Sequence, residues 1–316
     1  MNVSVIIPVY NAAVFLERAV KSALKHAEVK EVLLIEDGSK DNSLEVCKQL
    51  SEQNEIVKLF QHPKGQNLGA GATRNLGIQN ASQEYISFLD ADDYFTDIRF
   101  QKEKEIFKNH PDADGVYGAV GVEYIDQKGA KAWESIGFNE FTLTRVNKVV
   151  EPSDLFEFLI GYKKIKGCKG YLHLDGFTVK RKALLESKVL FDSSLRLHQD
   201  TAFFWKSSYL LKFYTGEIHE PLAIRGVHAN NRFIHAKNLD KSRSEMCLLI
   251  REWSIDNKLD EKIINHFDQR YFKYFISSKP KIEQPFYYLK FLLTDGDVRS
   301  NFGKQQLRFI WRQLRK

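Results

Sequence analysis

The sequence predicts an α/β fold with a mostly parallel sheet flanked by helices, because strand-like and helix-like segments alternate over its first 90 residues. The run Val3–Val9 is almost continuously apolar, which is typical of a parallel strand buried on both faces. Glu31–Asp37 and Tyr85–Asp90 repeat this pattern, and Ala12–His26 carries apolar side chains at helical spacing. Such an alternation places the strands parallel to one another in a doubly wound sheet.

The remaining elements of the first half follow in order. We expect a helix capped by Ser39 or Asp41 and ending near Gln53, a strand over Ile56–Gln61, a glycine-rich loop over Gly65–Gly71 and a helix over Ala72–Asn80. Ligands of doubly wound sheets bind outside the carboxyl ends of the strands. Asp37 and Asp90 lie at such ends.

The pattern is looser after Asp112. We expect strands and helices over the segments Gly115–Ile125, Pro152–Tyr162, Tyr171–Lys180, Thr201–Leu211 and Lys212–Ile218, of which the second and fourth are helical. From about Ala236 the chain is predicted to be mostly helical, so the one predicted boundary lies there.

Composition excludes several classes of protein. The mean hydropathy is -0.38, and no apolar run approaches the roughly 20 residues of a membrane span. The run Val3–Val9 is too short for a signal peptide and has no basic flank, so a cytoplasmic protein is expected. Cys47, Cys168 and Cys247 are too widely spaced for a disulfide framework or a paired metal motif. The net charge is +6, but the basic residues do not form a dense run with aromatic residues, which argues against nucleic acid.

Two short segments carry clustered carboxylates. In Asp90-Ala-Asp92-Asp93, two carboxylates with one residue between them can reach a single Mg²⁺ or Mn²⁺ ion, which would also bind two phosphate oxygens. The alternative is a solvated acidic turn before a helix. Asp37, in Asp-Gly-Ser, is also ordinary turn chemistry. Its position at a strand end gives it a second interpretation, as an acceptor for a nucleobase N–H.

Arg74 lies near the start of the predicted helix Ala72–Asn80. A cation and free N–H groups at a helix start suit a diphosphate. Alternatively, Arg74 pairs with a nearby carboxylate. The two interpretations are compatible.

Four motifs occur in order, and together they resemble those of glycosyltransferase family 2, which has the GT-A fold. They are Pro8–Asn11, Glu36–Ser39, Gly71–Gly77 and Phe88–Asp93. The resemblance implies a nucleoside-diphosphate-sugar donor and inversion at the anomeric carbon. It also implies site residues. Pro8, Val9 and Tyr10 would line the nucleotide pocket, with Asp37 on the base, Asp90 and Ala91 on the ribose side, and Asp92 on the metal with Asp93 beside it.

Three motifs in the second half resemble the family more loosely. His198-Gln-Asp200 lies where the family carries an acidic pair, so Asp200 would be the catalytic base, or alternatively would cap a helix. Arg225–His228, followed by Asn230-Asn-Arg, resembles a loop that closes over the diphosphate. His228 would then bind metal or phosphate, unless it is structural. Asp175-Gly176 resembles an acceptor motif, in which Asp175 would bind acceptor hydroxyls or replace Asp200 as base.

The resemblance therefore predicts an inverting glycosyltransferase that requires Mn²⁺ or Mg²⁺. Its expected donor is a UDP-sugar, and its expected acceptor is a hydroxyl of a glycan or lipid-linked molecule in cell-surface polysaccharide synthesis. Residues 1–235 would be the catalytic domain, with a nucleotide-binding half over about 1–110 and an acceptor half over about 111–235. Residues 236–316 would be a helical extension. The chain lacks the Gln-x-x-Arg-Trp motif of processive members, so a non-processive enzyme is expected.

Other classes of function predict different patterns. A dinucleotide-dependent oxidoreductase should carry Gly-x-Gly-x-x-Gly in the first strand–helix turn, where this chain has Pro-Val-Tyr-Asn-Ala-Ala. A nucleotidyltransferase and a non-catalytic nucleotide-sugar-binding module remain as alternatives.

The last residues predict one amphipathic helix. Its apolar face consists of Leu307, Ile310, Trp311 and Leu314, and its basic flank of Arg308, Arg312, Arg315 and Lys316. Such a helix can lie on the anionic inner face of a membrane, close to a lipid-linked acceptor. The other interpretation is a terminal helix packed on the core, and both remain open.

Overall fold

The structure is a computed structural model that describes residues 1–231 and 238–287. The chain divides into two compact units. The first comprises Met1–Ser194 with Gln199–His235, and the second comprises Leu195–His198 with Ala236–Lys316. The functional division into a nucleotide-binding half, an acceptor half and an extension stays a prediction. The predicted C-terminal amphipathic helix lies outside the described residues.

In the first 110 residues, strands and helices alternate as predicted. The strands are β1 (Val3–Val9), β2 (Val29–Glu36), β3 (Val57–Gln61), β4 (Tyr85–Phe88) and β5 (Tyr94–Phe95). The helices are α1 (Ala13–Leu24), α2 (Ser43–Gln53), α3 (Gly69–Asn80) and α4 (Gln101–Asn109), with a 3₁₀ turn at Pro63–Gly65. Helix α3 therefore begins inside the segment that the sequence predicted to be a glycine-rich loop.

Strand β1 is the centre of this half. It pairs in parallel with β2 on one side and with β4 on the other. Its side chains alternate between two cores, because successive residues of a strand face opposite sides of the sheet. Val5 and Ile7 pack with Leu16 of α1, whereas Ile6 packs with Ile78 of α3. Both faces of β1 are thus buried, which explains its continuous apolar sequence.

The second half is less regular. Its strands are β6 (Gly115–Tyr117), β7 (Ala119–Tyr124), β8 (Phe177–Lys180), β9 (Phe213–Thr215) and β10 (Pro221–Val227). The helices of the first unit here are α5 (Gln127–Ser135), α6 (Pro152–Leu159), α7 (Arg181–Ser187) and α8 (Gln199–Leu210), with a 3₁₀ turn at Leu174–Gly176. Of these elements, α5, α7 and β10 were not predicted, nor were α4 and β5 in the first half.

The strands form two sheets. The larger has the order β3-β2-β1-β4-β8-β6-β9, and β8 runs antiparallel to both β4 and β6. The smaller has the order β5-β10-β7. The predicted α/β fold with a mostly parallel sheet is confirmed. The reversed strand β8 marks the point where the second half of the unit joins the first.

Two predicted strands were wrong in extent. The segment predicted as one strand over Gly115–Ile125 is divided between the two sheets at Gly118. A Cβ atom there would collide with the Leu222 side chain and would lie 2.5 Å from the Glu217 carbonyl oxygen, so only glycine allows the chain to cross so closely. The strand predicted over Tyr171–Lys180 is limited to β8, because its first residues form an irregular loop and the 3₁₀ turn.

The described part of the second unit contains helices α9 (Leu239–Asp256) and α10 (Glu261–Ser277). A short connection joins them, so they form a helical hairpin. Arg251 of α9 forms an ion pair with Asp268 of α10. Among the described residues, no helix has both the length and the apolar composition to cross a membrane.

Candidate active site

The predicted nucleotide-binding residues meet at one edge of the large sheet. Strands β1, β2 and β4 are parallel, so their carboxyl ends lie side by side at that edge. Val9 ends β1 beside Glu36, which ends β2, and Pro8 lies beside Ile35. Val9 is fully buried, whereas the side chain of Tyr10 is 47% exposed. Of the three residues predicted to line a nucleotide pocket, Tyr10 therefore offers the most accessible surface.

Asp37 anchors the start of α3. Its carboxylate accepts the backbone N–H of Leu68 at 2.7 Å and that of Gly69 at 2.9 Å. Its backbone oxygen accepts a hydrogen bond from the Asn67 side chain at 2.8 Å. Because the carboxylate bonds Gly69, the helix can begin there instead of at Ala72 as predicted. A contact between Asp37 and a nucleobase stays a prediction.

Arg74 joins two carboxylates that are far apart in sequence. Its guanidinium lies 2.6 Å from the Asp90 carboxylate and 3.1 Å from the Asp200 carboxylate, and the side chain is almost completely buried. Pairing of Arg74 with nearby carboxylates, one of the two sequence interpretations, is thus confirmed. A contact of Arg74 with a diphosphate stays a prediction.

Asp200 lies in the first turn of α8, which begins one residue earlier. The oxygen Oδ1 bonds Arg74, and 43% of the side chain remains exposed. The carboxylate is therefore oriented by a buried cation while it stays open to solvent. This arrangement is compatible with a general base, which has to reach a proton on a bound molecule.

Asp92 meets His228 on the other side of the site. Its Oδ2 lies 3.0 Å from His228 Nε2 and accepts a hydrogen bond from Asn231 Nδ2 at 3.1 Å. His228 follows directly after β10, and the pairing of β10 with β5 brings it to the Asp92 turn. The ring of Phe15 stacks on the imidazole at 4.8 Å. The sequence predicted Asp92 as a metal ligand and His228 as a ligand of metal or phosphate, and the structure places the two side chains in contact.

Sequence reasoning did not assign roles to Phe15 or Asn231. Asn231 belongs to the predicted loop Arg225–Arg232, but nothing in its sequence distinguished it from Asn230. In the structure its Oδ1 also accepts the backbone N–H of His228 at 2.6 Å. Asn231 therefore fixes both the loop and the Asp92 carboxylate. Arg232, from the same loop, lies outside the described residues.

A group of buried side chains lies next to Asp90 and Asp92. We call Asp93, Asp175 and His173 the buried floor, because their side chains are largely or fully enclosed. Asp93 accepts the backbone N–H of Gly226 at 2.9 Å, and Asp175 accepts that of Asp90 at 3.0 Å. His173 Nδ1 lies 3.3 Å from Asp175 Oδ2. The floor therefore fixes the backbone of Gly226 and of Asp90, next to the more exposed carboxylates of the site.

The pKa values of the two carboxyl groups of the floor are shifted in opposite directions. Burial and the neighbouring Asp175 raise the pKa of Asp93 well above its ordinary value. Burial opposes ionisation of Asp175 too, but His173 and a hydrogen bond from Asp93 hold its pKa below the usual range. Burial also acts to lower the pKa of His173, which the Asp175 carboxylate nevertheless raises. The opposite directions favour a proton on Asp93, which can donate it to Asp175, over a proton on Asp175.

Asp175 and Gly176 were predicted to contact the acceptor. Both are buried in the structure, and the Asp175 side chain has no exposed surface. Contact of Asp175 with acceptor hydroxyls and its role as a substitute base stay predictions. What the structure shows is a support for the backbone of Asp90.

The contrasting group consists of Asp90, Asp92 and Asp200, which we call the exposed rim. Their side chains are 32%, 30% and 43% exposed.

Oxygen atoms of Asp90, Asp93 and Asp175 lie within 4.8 Å of one another, a grouping that can hold a metal ion by distance alone. Two of those three belong to the floor and already bond backbone N–H groups. Asp92 and His228, with the mixed O and N ligands that suit Mn²⁺, are the more accessible pair.

Comparison with known sequences gives one family. The model of glycosyl transferase family 2 matches residues 4–163, just over half of the chain. The minor teichoic acid biosynthesis protein GgaA of Bacillus subtilis is 30% identical over 207 residues, which are 64% of this chain and 42% of that protein. An uncharacterized glycosyltransferase of Haemophilus influenzae is 37% identical over 110 residues, 34% of this chain and 43% of that protein. The chain thus spans less than half of the length of these relatives.

Among solved structures, the fold is similar to that of TarS from S. aureus. TarS 1-349 aligns with a TM-score of 0.62 and 18% identity, over 90% of this chain and 77% of that one. The same protein in complex with UDP aligns with a TM-score of 0.60 and 17% identity, over 91% and 78%. Its complex with UDP-GlcNAc aligns with a TM-score of 0.58 and 14% identity, over 89% and 82%. At such identities the likeness is one of fold.

Proposed function

Because this chain belongs to glycosyl transferase family 2, we propose that it transfers a sugar from a UDP-sugar to a hydroxyl group of a cell-surface glycan or lipid-linked acceptor. Transfer proceeds with inversion, requires Mn²⁺ or Mg²⁺, and adds one residue without processivity. The observation that carries the proposal is that Arg74 forms ion pairs with both Asp90 and Asp200. One buried cation there links the donor-binding turn to the carboxylate with the best access to an acceptor.

The donor is proposed from the strand edge and from the structural neighbours. The edge presents the exposed ring of Tyr10, and α3 begins at the same edge, where its first N–H groups bond the Asp37 carboxylate. TarS structures were solved with UDP and with UDP-GlcNAc, which supports a nucleotide-sugar donor for a chain of the same fold. Asp37 would contact the base, and Asp90 with Ala91 the ribose.

The metal would be held by Asp92 and His228. Their ligand atoms lie 3.0 Å apart, and a carboxylate oxygen with an imidazole nitrogen suits Mn²⁺. When bound, such an ion supplies positive charge to the departing diphosphate. Asn231 orients Asp92 through its own hydrogen bond, and Phe15 fixes the plane of the imidazole. These contacts prepare the pair for a ligand.

Asp200 is proposed as the general base. An acceptor hydroxyl gives its proton to the Asp200 carboxylate while its oxygen forms a bond to the anomeric carbon, and the bond from that carbon to the diphosphate oxygen breaks. One displacement of this kind inverts the anomeric configuration. Arg74 bonds Oδ1 of Asp200 and leaves Oδ2 for the proton.

The acceptor class is proposed from a relative. The Bacillus subtilis protein is named for minor teichoic acid biosynthesis, and its match of 207 residues is longer than the family match over residues 4–163. We therefore place the acceptor among anionic cell-surface polymers. Phosphodiester groups of such a polymer also suit a chain whose net charge is +6.

A screen of donors tests the proposed function. UDP-, GDP- and dTDP-sugars are incubated with the full chain, Mn²⁺ and no acceptor, and release of nucleoside diphosphate is measured. We expect slow hydrolysis of one or more UDP-sugars that stops with a chelator. Release of pyrophosphate from UTP and a sugar 1-phosphate in a parallel assay, without release of nucleoside diphosphate from UDP-sugars, would identify a nucleotidyltransferase. Binding of UDP-sugars without turnover, even with acceptor, would identify a non-catalytic module.

A further inference from the structure

The segment of residues 161–171, which we call the lysine loop, is strongly basic. It contains Lys163, Lys164, Lys166 and Lys169, and all four side chains are exposed. From residue 158 to residue 171 the sequence contains no acidic residue. The candidate active site makes no use of this loop.

Hydrogen bonds from two preceding residues hold the loop in place. Asn147 exchanges hydrogen bonds with Lys169: its backbone N–H donates to the Lys169 oxygen at 3.0 Å, and its Oδ1 accepts the Lys169 N–H at 2.7 Å. Lys148 Nζ donates to the Lys166 backbone oxygen at 3.1 Å, which adds a fifth cation to the surface. Gly170 has a φ of +120°, and a Cβ there would collide with the facing backbone. The loop therefore presents its lysines from a tightly held backbone.

Most of these charges are not neutralised. Lys163 pairs with Asp154 at 2.6 Å, whereas Lys164, Lys166 and Lys169 form no ion pair within the described part of the chain. Lys21 of α1 is a contrasting case, since it pairs with Glu17 four residues away. A cluster of unpaired cations produces a positive potential that attracts polyanions.

The lysine loop is close in sequence to Asp175 of the candidate active site. Asp175 follows Lys169 by six residues, and a chain of that length spans at most about 21 Å. Asp175 in turn bonds the backbone of Asp90 in the exposed rim. Lys169 thus lies within about 21 Å of Asp175, a distance that a few sugar or phosphodiester units span. Tyr162 and Tyr171 flank the lysines and are 40% and 46% exposed, so aromatic residues with exposed surface lie beside the charges.

We propose that the lysine loop is an acceptor subsite, which binds phosphodiester groups of an anionic polymer while a hydroxyl of a neighbouring unit lies at Asp200. This inference rests on the proposed function, because it specifies where the anionic acceptor binds. A polymer is favoured over a membrane surface. The apolar members of the loop, Ile165 and Cys168, pack against the core, whereas interfacial segments present apolar side chains outward.

Charge-neutralised variants of the full chain test the subsite. The triple variant Lys164→Gln, Lys166→Gln, Lys169→Gln removes the unpaired cations. Its matched control, Lys30→Gln, Lys108→Gln, Lys262→Gln, removes three exposed lysines elsewhere. Affinity for fluorescein-labelled poly(glycerol phosphate) is measured by anisotropy at low salt, with neutral dextran of similar length for comparison. Hydrolysis of the UDP-sugar without acceptor is measured on the same samples.

We expect the wild type to bind the polyphosphodiester in a salt-sensitive manner and not to bind dextran. The triple variant should bind it at least about tenfold more weakly, with a smaller salt dependence, because fewer counterions are exchanged. The control should stay within about twofold, since it leaves the local potential intact. Donor hydrolysis should be the same in all three proteins.

Equal affinity of the triple variant and the control would overturn the subsite, as would the absence of binding by the wild type. Sedimentation with vesicles of phosphatidylcholine and phosphatidylglycerol is measured in parallel. If the triple variant loses vesicle binding but keeps its polymer affinity, the loop is a membrane surface and the proposal is wrong. Failure of donor hydrolysis in the wild type would count against the proposed function and not against the subsite, since polymer binding requires no turnover.

Discussion

Asp92 and Asp93 are neighbours in sequence, but they belong to two regions of the site with opposite properties. Asp92 points to the accessible side, where it contacts His228 and Asn231. Asp93 points inward, where it accepts the backbone N–H of Gly226 and lies almost without exposed surface. The same residue type thus serves the exposed rim in one position and the buried floor in the next.

The difference shows that proximity to the reaction centre does not by itself make a carboxylate reactive. Floor residues bond the protein's own N–H groups, and burial together with the contacts among them shifts their pKa values. Rim residues keep part of their surface open, so they can exchange a solvent contact for a metal ion or a substrate. We expect substitutions in the rim to change turnover and those in the floor to change mainly the folding free energy.

The largest effect is expected for Asp200→Asn. Loss of a general base lowers kcat by about a hundredfold to ten-thousandfold, while folding and donor affinity are retained. Transfer kinetics and calorimetric titration with UDP would check both parts. Asp240→Asn is a matched control, because Asp240 is also in the first turn of a helix, pairs with an arginine and has a side chain 34% exposed. Near-normal turnover of Asp200→Asn would remove this residue from the mechanism.

A smaller effect is expected for Asp92→Ala. Removal of one proposed ligand should weaken Mn²⁺ binding by about tenfold to a hundredfold, and His228→Ala should resemble it. Calorimetry of UDP binding over a range of Mn²⁺ concentrations measures this shift. Asp97→Ala, an exposed aspartate five residues further along, serves as control. If wild type and Asp92→Ala both bind UDP equally well with Mn²⁺ and with a chelator, the site requires no metal.

The smallest effect concerns the floor and pH. The pKa of Asp93 is raised by burial, so the folded state binds a proton that the unfolded chain releases near pH 4. The stability that Asp93 contributes is therefore complete below that pH and is lost as the pH rises through its folded-state pKa. Asn imitates the protonated acid, so Asp93→Asn should gain in Tm relative to wild type as the pH increases from about 4.

Thermal unfolding of both proteins between acidic and neutral pH measures this difference. Asp97→Asn, which changes an exposed aspartate, should show a difference from wild type that varies less with pH. A constant difference between Asp93→Asn and wild type would mean that Asp93 is ionised in the folded protein. The assignment of Asp93 as proton donor in the floor would then be wrong.

The sequence predicted the strands that carry the proposed donor site because those strands are buried on both faces. In a chain of this mean hydropathy, a continuous apolar run such as Val3–Val9 strongly indicates a buried strand. Elements in the second half were predicted less well. Strands there are short, and the break at Gly118 depends on the approach of Leu222, which is distant in sequence.

For the candidate site, the sequence predicted which residues lie near one another but not which side chains they contact. Motif position located Asp90, Asp92 and Asp200. The ion pair of Arg74 with Asp200 spans 126 residues, and no local pattern encodes it. Burial was the other missing quantity. Asp175 had the pattern of an acceptor ligand, and only the fold reveals that β8 and its preceding turn enclose it.

The role of the exposed rim in donor chemistry can be tested directly by the stereochemistry of donor hydrolysis. Wild-type protein is mixed with a UDP-α-linked sugar and Mn²⁺, and the anomer released first is identified by proton NMR before mutarotation. A single displacement by water, with Asp200 as base, predicts the β-anomer from wild type and almost no release from Asp200→Asn. First appearance of the α-anomer, or unchanged release by Asp200→Asn, would contradict a single displacement at the rim.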